Sequence, residues 1–399
     1  MKSINQLSYS TLALVLLLPA PHLHAQDWIP LGLGAQDWVS IASSADGTVL
    51  VAASNNQTEP GQIYVSTDAG LNWTVTSAPV TNWSSVTCSA DGTQLVAAMA
   101  SGYPLYNAAL YRSADSGNSW IPTTAATNMS WKALASSADG TRLIAAAPYA
   151  PLYVSTNSGS IWNPVPSPPP NDTWQALASS ADGLTLFAFA NAGPIARSTN
   201  GGTTWASPPS PTTLWRAAAC SADGARLIAV AGPVDLSPIY ISTNSAATWQ
   251  AVPGISNHWS GVASSADGSR LVALGYGPVY TSSDFGAHWT LVPLTNAWQA
   301  AASSADGGSL VGAVFGLNGD IFASHSIVPP RLNLALSGNQ LTLSWTIPSS
   351  TFVLQEATDV SNPAWSDVTN SVTIAYSSLR DSVTVSAEGP ARLFRLVAR

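Results

Sequence analysis

Short runs of apolar and small residues, each closed by a turn bearing Gly, Asp or Asn, follow one another along most of the chain. In the first set, Trp38 to Ser44 reads as a strand and Ala45-Asp46-Gly47 as a hairpin turn whose Gly accepts a positive φ. Thr48 to Ser54, rich in Val and Ala, reads as a second strand, and Gln62 to Thr67 as a third after a variable loop. The turn Ser66 to Trp73, STDAGLNW, leads into a fourth strand, Trp73 to Ser77. Runs this short and this rich in β-branched residues predict strands and exclude helices.

The set recurs. The Ala-Asp-Gly aspartates are Asp46, Asp91, Asp139, Asp182, Asp223, Asp267 and Asp306, seven copies spaced 39 to 48 residues apart. That period fits a four-stranded sheet, and seven such sheets predict a closed, seven-bladed β-propeller. The eight-residue turn occurs six times, returning as SADSGNSW (from Ser113), STNSGSIW (from Ser155), STNGGTTW (from Ser198), STNSAATW (from Ser242) and SSDFGAHW (from Ser282). The seventh copy decays after Phe322. At the other end Trp28 stands ten residues before Trp38, the interval that also separates Trp73 from Trp83 and Trp205 from Trp215. Asp27 to Leu33 is therefore expected to pair with the third strand of the last blade and close the ring, removing its open edges.

Fourteen tryptophans share two repeat positions, which marks them as core. After Ile327 the pattern stops, Val328-Pro329-Pro330 makes a stiff linker, and Arg331 to Arg399 alternates polar and apolar residues as in LNLALSG and QLTLSW. The expected organisation is all-β. A signal peptide spans residues 1–25, the propeller 26–328 and the proline linker 329–330, with a small β-sandwich over 331–399. Lys2, the apolar Leu12 to Leu18 and Leu23-His24-Ala25 carry the signal-peptide reading, with Gln26 the first mature residue. No later stretch is long and apolar enough for a membrane helix.

Charge narrows the partners. The formal net charge is −8, only 9% of residues are charged and no basic cluster occurs, which argues against nucleic acid and anionic membranes. Cys88 and Cys220 replace Ser ahead of Ala-Asp-Gly in non-adjacent repeats, beyond disulfide reach, and read as small buried thiols. No metal-ligand spacing, phosphate loop or Gly-x-Ser-x-Gly occurs, so no cofactor or metal is expected.

The eight-residue turn resembles the Asp-box, or BNR repeat, of sialidases, sortilin-type receptors, photosystem II assembly-factor propellers and some xyloglucan hydrolases. The resemblance covers residues 38–289. It implies a folding device: the carboxylates of Asp68, Asp115 and Asp284 accept hydrogen bonds from their own turns. Asn157, Asn200 and Asn244 keep the acceptor and discard the acid, and Ala246 replaces one glycine. The sialidase constellation is not visible, since Arg142, Arg226 and Arg270 share one repeat position, as do Tyr64, Tyr111, Tyr153, Tyr240 and Tyr280. A two-carboxylate glycosidase would draw on Asp37, Asp172, Asp235 and Asp320, the acids outside the pattern. The final module resembles fibronectin-type or immunoglobulin-like tails, which implies a spacer, anchor or sorting role.

Binding, if any, is expected on the loops between second and third strands, where Tyr103, Tyr106, Tyr149, Tyr276 and Phe315 sit beside Gly and Pro. The sequence thus points to a secreted, monomeric binding protein for an extracellular glycan or protein, with a propeller-type glycoside hydrolase as the alternative.

Overall fold

A computed structural model describes residues 14–15, 27–34, 36–55, 60–100, 108–125, 129–165, 173–232, 236–316, 319–328, 330–358, 363–387 and 392–398. Among these the chain is all-β apart from one 3-10 turn, Tyr376–Ser378. The first repeat is an antiparallel sheet of Trp38–Ser43, Leu50–Ser54, Ile63–Ser66 and Thr74–Val75, in that order. The second and third repeats copy it, from Trp83–Cys88 and Ala133–Ser136 outward. In the sixth, Leu271–Ser282 serves as second and third strands together. Thr290–Ser303 then ends the sixth repeat and begins the seventh.

The seventh repeat takes its outer strand from the other end of the chain. Trp28–Pro30 pairs antiparallel with Ile321–His325, Trp28 opposite Ser324, as the ten-residue tryptophan interval predicts. Asp320 fixes this junction, accepting the N–H groups of Gly32 and Leu33 at 3.1 and 3.2 Å.

Six of the seven repeats are built on an aromatic pair. Trp38, Trp83, Trp131, Trp174, Trp215, Trp259 and Trp298 are fully buried at the start of the inner strands. Six of them meet a third-strand ring edge-on, Tyr64, Tyr111, Tyr153, Tyr240, Tyr280 or Phe322, with centroids 5.1 to 5.8 Å apart. The repeated tyrosines are therefore partners of the repeated tryptophans.

Neighbouring repeats are joined through the Ala-Asp-Gly turns. Within the first, Ser44 Oγ donates to Asp46 Oδ1 at 2.6 Å, and the same oxygen accepts the N–H of Thr48 at 3.0 Å. Between turns, the N–H of Ala45 donates to the carbonyl of Ala90, and Ala90, Ala138, Ala181, Ala222, Ala266 and Ala305 continue the series. The N–H of Ala305 donates to the carbonyl of Ala45, so seven bonds of 2.6 to 2.8 Å form a closed circuit. The turn glycines make this approach possible. Gly47 has φ 76°, and a Cβ there would lie 2.8 Å from Ser309 Cβ; at Gly183 it would lie 2.6 Å from Arg142 Cβ. Arg142, Arg226 and Arg270 lay their stems under the next repeat's glycine.

The eight-residue turns are self-contained. Asp68 Oδ1 accepts Ser66 Oγ and the N–H of Asn72, each at 2.8 Å, while Trp73 Nε1 donates to the carbonyl of Gly70 at 3.1 Å. Asn157, Asn200 and Asn244 accept the equivalent N–H at 2.9 Å. Where Ala246 replaces Gly, Trp249 Nε1 is buried with no hydrogen-bond partner among the described residues. Its ring packs on Phe189 and Trp215 instead.

Residues from Asn333 onward form two further sheets. One is ordered Asn333–Ser337, Gln340–Thr346, Arg380–Ser386, Thr373–Ala375. The other pairs Phe352–Ala357 with Leu393–Ala398 and Ser366–Asp367, and Leu14–Val15 lies parallel to Leu393–Phe394. Leu343, Trp345, Leu354, Val383 and Phe394 share one apolar cluster between them. Trp345 is core, while Trp365 lies under the guanidinium of Arg395, 4.1 Å from the ring centroid.

Two outcomes follow. Removing residues 26–34 deletes the buried Trp28, a side chain whose burial removes about 150–250 Å² from water, so the melting temperature should fall by at least about 5 °C; an unchanged melt would contradict the closing role. In the turns, side-chain and backbone hydrogen bonds from Asn72 lower the pKa of Asp68, and those from Ser119 hold Asp115 at about 2. Folded values below the unfolded one stabilise the protein above about pH 4, and this contribution is lost as pH falls towards 2. Asp68→Asn/Asp115→Asn should lose less stability than wild type between pH 4 and pH 2, measured by thermal melts.

Candidate functional site

The two kinds of turn lie at one end of the sheets. The N–H of Ala69, in an eight-residue turn, donates to the carbonyl of Thr48, beside an Ala-Asp-Gly turn, at 2.8 Å. Loops between second and third strands emerge at the other end, together with the connections from repeat to repeat. Tyr149 and Tyr276 stand exposed there, at 81% and 57%. Phe315 is half-buried, its N–H bonded to the carbonyl of Ala297. Tyr103 and Tyr106 lie outside the described residues.

Two of the four candidate acids have structural partners. Asp37 Oδ1 accepts the N–H of Gly316 at 3.0 Å, and Asp320 caps the N-terminal strand as described above. Both carboxylates tie the seventh repeat to the start of the chain. Asp172 and Asp235 lie outside the described residues.

Between the inner strands runs a cavity of about 260 Å³ lined by Ile41, Val86, Leu134 and Ala218 together with Ser43, Thr87, Ser136, Ser179 and Ser303. Cys88 and Cys220 also line it, so the thiols are part of a cavity wall rather than sealed in the core. Burial, then the charges of Asp91 and Asp46, push the Cys88 thiol up to about 12; burial and Asp223 do the same for Cys220. Both thiols are neutral at physiological pH and poor nucleophiles.

The Ala-Asp-Gly end of this channel is covered by the chain's own last segment. Ile347 is buried in one cluster with Ala45, Ala90, Ala138, Ala181 and Ala305, and Leu379 and Tyr376 pack at its edge. Ser349 donates through its N–H and Oγ to Asp306 Oδ2, at 2.7 and 2.8 Å. Burial raises the Tyr376 pKa, with further effect from the nearby Asp91 and Asp46. These contacts run from the seventh repeat to the first and second, so the segment lies across the alanine ring. Among the described residues no segment covers the loop end.

Two half-buried cations beside the inner tryptophans escape sequence reasoning. Lys132 follows Trp131, and Arg216 follows Trp215. Burial lowers the pKa of both, and the charge of Arg216 lowers that of Lys132 further, whereas Tyr276 favours the charged form of Arg216. A signal existed: the other five repeats carry Val39, Ser84, Gln175, Ser260 and Gln299 at this position, none of them charged.

No family model matches the sequence, and no curated protein matches it. Solved structures do. A GH74 xyloglucanase from Xanthomonas campestris superposes with a TM-score of 0.62 at 15% identity, covering 80% of this chain and 59% of that enzyme. YCF48 from Cyanidioschyzon merolae gives 0.56 at 15% identity, covering 75% of this chain and 98% of that one. YCF48 bound to D1 peptide gives 0.54 at 15% identity, with 77% and 99% covered. At these identities the likeness shows the fold, a β-propeller. The chain spans only 59% of the length of the GH74 enzyme.

The covering segment has a direct readout. Ile347→Asp places a charge on the alanine ring and should open the channel, raising the rate at which Cys88 and Cys220 react with a thiol reagent about tenfold or more. An unchanged rate would show that this segment does not close the channel.

Proposed function

We propose that the chain is a secreted, seven-bladed Asp-box propeller with a C-terminal β-sandwich, working by binding an extracellular protein at its loop face rather than by catalysis. The signal peptide would end at residue 25, the propeller would span 26–328 and the sandwich 331–399. Seven Ala-Asp-Gly turns joined in one circuit support the blade count. Two sheets sharing the Leu343–Phe394 cluster support the sandwich.

The observation that carries the functional reading is the asymmetry of the two ends. One end is covered by the chain's own Ile347, Ser349 and Tyr376, while the other leaves Tyr149 and Tyr276 exposed around the cavity. Exposed aromatic residues on loops above a rigid scaffold are the usual material of a recognition surface. The YCF48 structures agree in size, since this chain covers nearly all of a protein whose solved complex holds a peptide.

The GH74 likeness favours a second reading, a glycoside hydrolase. That chemistry needs two carboxylates about 5–9.5 Å apart, whereas Asp37 and Asp320 are held by backbone N–H groups.

The test is an array of cell-surface proteins and of plant, algal and bacterial polysaccharides probed with the mature chain, sugar release being assayed in the same wells. The reading expects saturable binding to a protein, weakened about tenfold by Tyr276→Ser, without released sugar. Polysaccharide binding without release would overturn the partner class. Release that Asp172→Asn or Asp235→Asn abolishes would establish the hydrolase.

A further inference from the structure

Of the two sheets formed from Asn333 onward, one is completed by a segment from the other end of the chain. The first holds Asn333–Ser337, Gln340–Thr346, Arg380–Ser386 and Thr373–Ala375, in that order. The second holds Ser366–Asp367, Phe352–Ala357 and Leu393–Ala398, and its fourth strand is Leu14–Val15. Leu14 stands opposite Leu393 and Val15 opposite Phe394, in parallel.

The connections show which strands face each other. Residues 368–372 alone join Ser366–Asp367 to Thr373–Ala375, and Asn370 Nδ2 donates to the carbonyl of Thr384 at 2.9 Å. So short a link puts these two strands at the same side of the pair of sheets. Counting from there, Phe352–Ala357 faces Arg380–Ser386, and Leu393–Ala398 faces Gln340–Thr346. The place beyond Leu393–Ala398, where Leu14–Val15 lies, faces Asn333–Ser337.

Asn333–Ser337 is poorly covered. Leu334 is paired with Leu343 and Leu336 with Leu341, so all four lie on the face that packs inward. Leu341 and Leu343 are buried in the apolar cluster, whereas Leu334 and Leu336 are 36% and 69% exposed. The outer edge of Leu393–Ala398 is open as well, since only Leu393 and Phe394 have a partner there among the described residues. An apolar wall beside an open strand edge is the geometry that takes up an added strand.

We propose that this groove is a strand acceptor, occupied by the chain's own residues 12–18 until residues 1–25 are removed. The inference rests on the sandwich and the cleavage site proposed above. Leu12 to Leu18 is an unbroken apolar run of a length that matches Leu393–Ala398. Pro19 and Pro21, which have no N–H to give a ladder, end it. Cleavage after residue 25 then uncovers Leu334, Leu336 and the outer edge of Leu393–Ala398. The acceptor lies on the C-terminal sheets, so it does not depend on the loop-face partner.

Hydrogen exchange is compared in residues 1–399, produced without export so that the leader stays attached, and in residues 26–399. The informative amides are those of Leu393–Ala398 that do not point to Phe352–Ala357. With the leader attached they should exchange about tenfold more slowly or better. A peptide of residues 10–20, lengthened by lysines for solubility, should bind residues 26–399 saturably and restore that protection. Binding should weaken about tenfold when the peptide carries Leu14→Pro and Val15→Pro, and also when the protein carries Leu336→Asp. Rapid exchange throughout Gln340–Thr346 in residues 1–399 would overturn the sandwich and the acceptor with it. Slow exchange there, with edge amides indifferent to leader and peptide or with equal binding of the proline peptide, would overturn the acceptor alone. Dimers of residues 26–399 that the peptide does not displace would give the edge to a second copy and overturn the assigned occupant.

Discussion

Everything in the ring depends on one repeated contact, the backbone hydrogen bond from the alanine of each Ala-Asp-Gly turn to the alanine of the next. A bond of this kind needs two backbones at van der Waals distance, so the turn can tolerate no side chain on its inner side. The glycine supplies that, and the stem of the preceding repeat's second strand fills the space beside it. The Ser and Asp of the turn satisfy each other and the local N–H groups, which leaves the alanine amide free to reach its neighbour. One short motif thus fixes the turn, the spacing of neighbours and closure of the circle.

Closure has consequences beyond stability. The closed circuit of turns encloses an axis, and the inner strands, being small at Ala178, Ala218 and Ala302, leave it hollow. The ring alanines present an apolar rim at one end, which Ile347 covers. The opposite end carries the longer loops. Asymmetry between the ends therefore arises from the repeat itself together with the segment that follows it.

Much of the fold was legible because the repeat is written in residues with few roles. Trp at the start of each inner strand, Gly at positive φ and Asp beside Ser have narrow physical meanings, and the structure assigns them those meanings. The outer strand supplied by Trp28 was legible from a spacing alone. The pairing of Tyr64 with Trp38 was not, because a shared repeat position says nothing about what a ring touches. The docking of Ile347 on the alanine ring was hidden too: a lone Ile in an alternating segment looks like interior of its own module. The acids outside the repeat looked available for chemistry, yet Asp37 and Asp320 serve backbone N–H groups some 280 residues away in sequence, a contact no local pattern reveals. Lys132 and Arg216 were passed over because each belongs to a repeat position, although no other repeat carries charge there.

The claim that the ring closes as one unit is tested most directly by hydrogen exchange of the seven turn amides, Ala45, Ala90, Ala138, Ala181, Ala222, Ala266 and Ala305. If the circuit is closed, all seven should be among the slowest amides and exchange together, since each opens only when the ring does. Fast exchange confined to Ala305 and Ala45, with the other five protected, would mean that the seventh and first repeats are not joined and that the ring is open.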